Sequence, residues 1–99
     1  MDLKTALELL VEDHLEEQRK DPQVLTLCET VEMLGGSRCG DIHEGMLPGD
    51  VAACIMTYMD DLGILDRAKI YFQKFDEKSI VEETSLYETM ADLGEVDWK

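Results

Sequence analysis

The chain has 99 residues, 44% of them apolar, and its 23 Asp and Glu against 9 Lys and Arg give a formal charge of -14. One hydrophobic core fits this length and apolar content and two do not, so a single acidic domain over residues 1–99 is expected rather than a disordered acidic tail. With so few cationic side chains to release counterions, direct binding to nucleic acid or to an anionic membrane is disfavoured, whereas a basic protein surface is attracted.

No apolar run approaches the roughly 20 residues of a membrane-spanning helix. The opening Met1-Asp2-Leu3-Lys4 lacks the basic-then-apolar layout of a signal peptide, and a cytoplasmic location is expected. Cys28, Cys39 and Cys54 are odd in number, which favours reduced thiols over a disulfide framework.

From Asp2 to Lys20 the apolar residues Leu3, Ala6, Leu7, Leu10, Val11 and Leu15 recur at three and four, the spacing of an amphipathic helix. Either Asp2 or the Thr5–Glu8 pair can cap it, and Arg19 and Lys20 suit the negative end of its dipole. Asp21-Pro22 signals a second helix, with Val24, Leu27, Cys28, Val31 and Leu34 on one stripe and Gly35-Gly36 at its end. Residues 35–49 hold five glycines and Pro48 and should form an irregular loop, a length often tied to function.

Asp50 can cap a third helix carrying Val51, Ala52, Ile55, Met56, Tyr58, Met59 and Leu62, apolar around most of its circumference and hence expected at the centre, with Gly63 as its stop. A fourth, from Arg67 to Phe75, places Ala68, Tyr71, Phe72 and Phe75 at helical spacing, although Lys69 to Phe75 also has strand composition. Ser79 with Glu82 has capping-box spacing for a last helix that turns Ile80, Val81, Leu86, Tyr87, Met90 and Leu93 to the core and stops at Gly94. A short tail over residues 95–99 follows. The fold expected is all-α, a compact bundle of four to five short helices with one glycine-rich loop.

No motif for nucleotide, calcium or phosphate binding occurs, so neither a cofactor nor a catalytic residue is assigned and the chain reads as a non-enzyme. Cys28, Cys39, His43 and Cys54 include the donors of a tetrahedral zinc site, but they lack the close ligand pair such sites usually contain. An alternative reading takes Cys39 and His43, with Asp41 or Glu44, as the nucleophile and base of a hydrolase or an accessory subunit, in which only Arg38 nearby would favour the thiolate. His14, set among Glu12, Asp13, Glu16 and Glu17, is expected on a solvated face, because a di-iron bundle needs Glu-x-x-His on two helices. Met56 and Met59 read as core filler.

The remaining signal is carboxylate. Residues 1–21 carry seven acids and three bases and residues 76–99 carry eight and two, while 51–75 is balanced. The expectation is an interaction module or inhibitor that docks on a basic, nucleic-acid-binding protein through Glu12, Asp13, Glu16, Glu17, Glu82 and Glu83. Met46 and Trp98 are its candidate apolar anchors, Trp98 equally well packing back on the domain. By analogy only, small acidic phage inhibitors that imitate nucleic acid share this size and charge. The Met and aromatic content also leaves room for a homodimer.

Overall fold

Six helices follow from these patterns, with no strand among the described residues. In the computed structural model, which describes residues 1–35, 42–43 and 45–95, α1 runs Leu3–Lys20, α2 Leu27–Glu32, α3 Pro48–Asp61, α4 Leu65–Phe72, α5 Ile80–Glu83 and α6 Leu86–Glu95. Four of the six are 7 residues or longer. The expected bundle is present, and the strand composition of Lys69 to Phe75 gives way to helix through Phe72 and a turn after it.

Asp2 rather than Thr5 starts α1: its carboxylate accepts the Thr5 N–H at 3.2 Å. The second helix begins later than Asp21-Pro22 suggests. Asp21 instead closes a turn, Oδ1 accepting the Gln23 N–H at 2.9 Å, and residues up to Thr26 stay outside the helix. Thr26 and Glu29 then form a reciprocal capping box, with both bonds at 3.1 Å, which satisfies two amides at once and fixes the start of α2. Likewise α3 begins before Asp50, because Pro48 at the first helical position sacrifices no hydrogen bond.

The last predicted helix is two. Ser79 makes no side-chain cap, α5 lasts a single turn, and Thr84 is extended at φ -151° and ψ 177°. Ser85 restarts the helix by accepting the Glu88 N–H at 3.1 Å. Helix α6 then continues through Gly94 instead of stopping there. A Cβ on Gly94 would overlap the Met33 carbonyl oxygen, so this glycine serves the close approach of α6 to the end of α2 and not a left-handed cap. Gly63, by contrast, does cap: at φ +76° it lets Gly63 N–H reach Asp60 O at 3.0 Å and Ile64 N–H reach Met59 O at 2.9 Å, a Schellman pair.

The centre of the bundle is α1, which contacts each of the other five helices, whereas α3 leaves Ala53, Thr57 and Asp60 exposed. Leu7, Leu10 and Val11 of α1 are fully buried with Val51, Ile55 and Met59 of α3, Phe72 of α4, Ile80 of α5 and Leu86 and Met90 of α6. Each such side chain contributes about 1.5–3 kcal/mol on leaving water. Met59 is core as expected, and Met56 packs on its edge. The Glu8 carboxylate lies against Gly49 at the start of α3, 3.2 Å from where a Cβ would stand, so α1 also supplies negative charge to a helix end that has no side-chain cap of its own.

Tyr71 joins α4 to α6 by donating to Asp92 Oδ2 at 3.1 Å. Burial raises its phenol above the ordinary value of 10.0; the Asp92 carboxylate adds to the rise, and hydrogen bonds with Thr84 and Thr89 oppose it. The folded chain therefore holds this proton longer than the unfolded chain. Its contribution to stability is complete below pH 10.0 and is lost as pH climbs through the raised folded value. An alkaline titration followed by tyrosinate absorbance should include a late-ionising step for Tyr71, which Tyr71→Phe should delete.

Gly94→Ala should destabilise by about 1–3 kcal/mol, since Met33 backbone or α6 must move to admit the methyl group. Urea unfolding should show a lower midpoint with an unchanged slope; an unchanged midpoint would mean that the two helices do not meet as closely as described.

Candidate acidic cleft

Two clefts of nearly equal size, about 570 and 580 Å³, lie on either side of the chain that links α1 to α2. Size does not distinguish them; their chemistry does. The first is walled by Asp13, His14 and Glu17 of α1, by Gln23 to Leu25, and by Val81 to Glu88 across the α5–α6 break. Five acidic residues thus line one space, Asp13, Glu17, Glu82, Glu83 and Glu88, and no Lys or Arg is among the described residues that line it.

This brings together acids that lie near opposite ends of the sequence. Asp13 and Glu17 are four apart, so they share one side of α1. Glu82 and Glu83 reach the same space because Thr84 breaks the helix and turns α5 against α1. Glu12 and Glu16 are exposed but do not line the cleft, and Glu16 pairs with Arg19 at 3.4 Å. The sequence-predicted set is therefore split: four of its six acids meet, and two stand on a neighbouring side of α1.

Val81 and Tyr87 were expected in the core and are not. They are 41% and 47% exposed, and both line the cleft. In α6 the buried stripe is Leu86, Met90 and Leu93, and Tyr87, one residue on from Leu86, stands about 100° off it; Val81 likewise follows the buried Ile80 by one residue and turns outward. The cleft consequently has an apolar and aromatic shelf among its carboxylates. Glu88, at the third position of α6, belongs to it as well and is marked in sequence by the Ser85-x-x-Glu88 spacing.

His14 overturns the solvated-face expectation. It is 5% exposed, and its Nε2 lies 2.7 Å from Leu25 O and 3.4 Å from Thr30 Oγ1. Position 14 continues the stripe of Leu7, Leu10 and Val11, so the imidazole enters the core edge and donates to the Leu25 carbonyl. That bond holds residues 23–25 as the floor of the cleft.

The second cleft is lined by Leu15, Gln18, Arg19, Thr26 to Cys28, Ile42, His43, Gly45 and Met46. Met46, a candidate anchor, is half-buried here, apart from the acids. Cys28 Sγ donates to Ile42 O at 3.2 Å, and His43 N–H donates to Met46 Sδ at 3.3 Å. These two contacts use opposite edges of one trans peptide group. Cys54 sits on α3 and lines neither cleft. Among the described residues no group of three or more His, Cys, Asp and Glu is placed to hold a metal. Cys39, Asp41 and Glu44 of the hydrolase reading, and Trp98, lie outside the described residues.

No described helix is long and apolar enough to cross a membrane. Comparison of the chain with protein-family models, with curated proteins and with solved structures found no match.

Replacing His14 with Ala should cost about 1–3 kcal/mol, because the Leu25 carbonyl loses its buried donor. In hydrogen exchange the amides of residues 23–26 should lose protection before those of α1 do. Equal loss throughout the bundle would show that His14 stabilises the core and not this connection.

Proposed function

We propose that this protein is a non-enzymatic interaction module that docks a basic protein surface at the acidic cleft. The observation that carries the reading is the meeting of Asp13 and Glu17 with Glu82, Glu83 and Glu88 around a recess whose described lining offers no cation. A lining of five acidic residues without a described cation attracts the cations of a partner surface. A recessed cleft fits a projecting basic segment better than it fits a straight imitation of duplex phosphates, because Glu12 and Glu16 of the same helix stand off to one side. Direct contact with nucleic acid is opposed by the same charge, and so is association of two copies, each at -14.

The test uses a short lysine-glycine peptide as probe and follows amide shifts by NMR. Shifts should concentrate on residues 13–17 and 81–88 and fade as salt is raised. Converting Glu82 and Glu83 to Lys should weaken binding about tenfold, equivalent to about 1.4 kcal/mol. Shifts of equal size at Asp60 and Asp61, or unchanged affinity after the reversal, would reject the cleft as the docking place.

A further inference from the structure

The exposed shelf of Val81 and Tyr87 has no part in charge attraction alone, yet it occupies the same recess as the five carboxylates. A purely apolar guest would cover that shelf at the cost of taking unpaired carboxylates out of water. A lysine would satisfy the charge, but its compact, strongly hydrated ammonium lacks the planar face that stacks on a ring and the fork that pairs with two carboxylates. An anion is repelled outright, even though α6 turns its N-terminus toward the cleft through Ser85, Leu86 and Tyr87.

Resting on the docking reading above, we infer that the cleft is specific for arginine, taking a guanidinium group of the partner between Tyr87 and the acidic rim. The three parts of an arginine side chain match three parts of the site. Its methylene stem covers Val81, as long cationic side chains cover apolar surface while their heads stay polar. The guanidinium plane stacks on the Tyr87 ring, which attracts cations through its negative face. The N–H fork then reaches carboxylates on two walls, Asp13 and Glu17 from α1 and Glu83 or Glu88 from the α5–α6 side, in the paired geometry that a planar fork favours.

The occupant comes from another protein and not from a second copy, because each copy carries -14 and the approach of two such surfaces is opposed. Within the chain, Lys74 lies over Tyr71, 4.6 Å from the ring centroid, and so packs on a different tyrosine.

The experiment compares two peptides of equal length and charge, one alternating Arg with Gly and the other Lys with Gly, against the whole chain and a Tyr87→Leu variant. Leucine suits the exposed helical position, so the variant should keep its fold, which far-ultraviolet circular dichroism checks. The wild type should bind the arginine peptide about fivefold more tightly, with the Tyr87 ring protons shifted by that peptide. Tyr87→Leu should abolish the preference, weakening the arginine peptide more than the lysine peptide until the two bind alike. Equal affinity for the two peptides, or a preference that survives Tyr87→Leu, overturns the arginine assignment and leaves docking by charge intact. If neither peptide binds at the cleft, the docking reading itself fails and this one with it.

Discussion

Everything in this molecule is arranged around one stripe of α1. Leu7, Leu10 and Val11 are fully buried, and α1 touches α2, α3, α4, α5 and α6. A helix of 18 residues is about 27 Å long, enough to act as the common support for shorter helices that cannot bury an apolar face by themselves. The same stripe continues to His14, where it becomes polar and grips the Leu25 carbonyl. One side of α1 therefore organises both the core and the floor of the cleft, and its neighbouring side supplies Asp13 and Glu17 as a wall.

The opposite wall depends on a local interruption. Had residues 80–93 continued as one helix, Tyr87 would have stood two turns along from the buried Ile80 and on its side. Extended Thr84 and the Ser85 cap separate α5 from α6, and the separation gives α6 its own buried stripe of Leu86, Met90 and Leu93, which leaves Tyr87 exposed beside Glu88, while Val81, next to the buried Ile80, is exposed beside Glu82 and Glu83. Local backbone chemistry thus converts what reads as core into surface. The charge pattern and the aromatic shelf come from the same few residues, which is why the proposed specificity goes beyond attraction between opposite charges.

Much of the architecture is legible in sequence. The long stripes of α1 and α3, the Asp2 cap, Arg19 and Lys20 at the end of α1 and the Gly63 stop each state a local preference that tertiary packing leaves in place. The departures occur where two local signals compete. Asp21-Pro22 and Thr26-x-x-Glu29 both announce a start, and the reciprocal bonds of the second prevail. Ser79-x-x-Glu82 and Ser85-x-x-Glu88 compete in the same way. Gly94 looks like a helix stop because its other use, proximity to Met33, involves a residue far away in the chain. His14 misleads through its charged neighbours in sequence, although its spacing from Leu10 and Val11 places it on the buried side. Of the site, the acidic residues are legible and their meeting is not, because pairing 13–17 with 82–88 is a property of the whole packing.

The two walls of the cleft differ in stiffness. One is the middle of the longest helix, locked into the core along its length; the other includes a single turn tethered inward chiefly by the buried Ile80. Short helices open at small free-energy cost. A turn this short makes few hydrogen bonds of its own, so that side of the mouth keeps its shape through the packing of Ile80 on the bundle and through buried Thr84, not through helix formation.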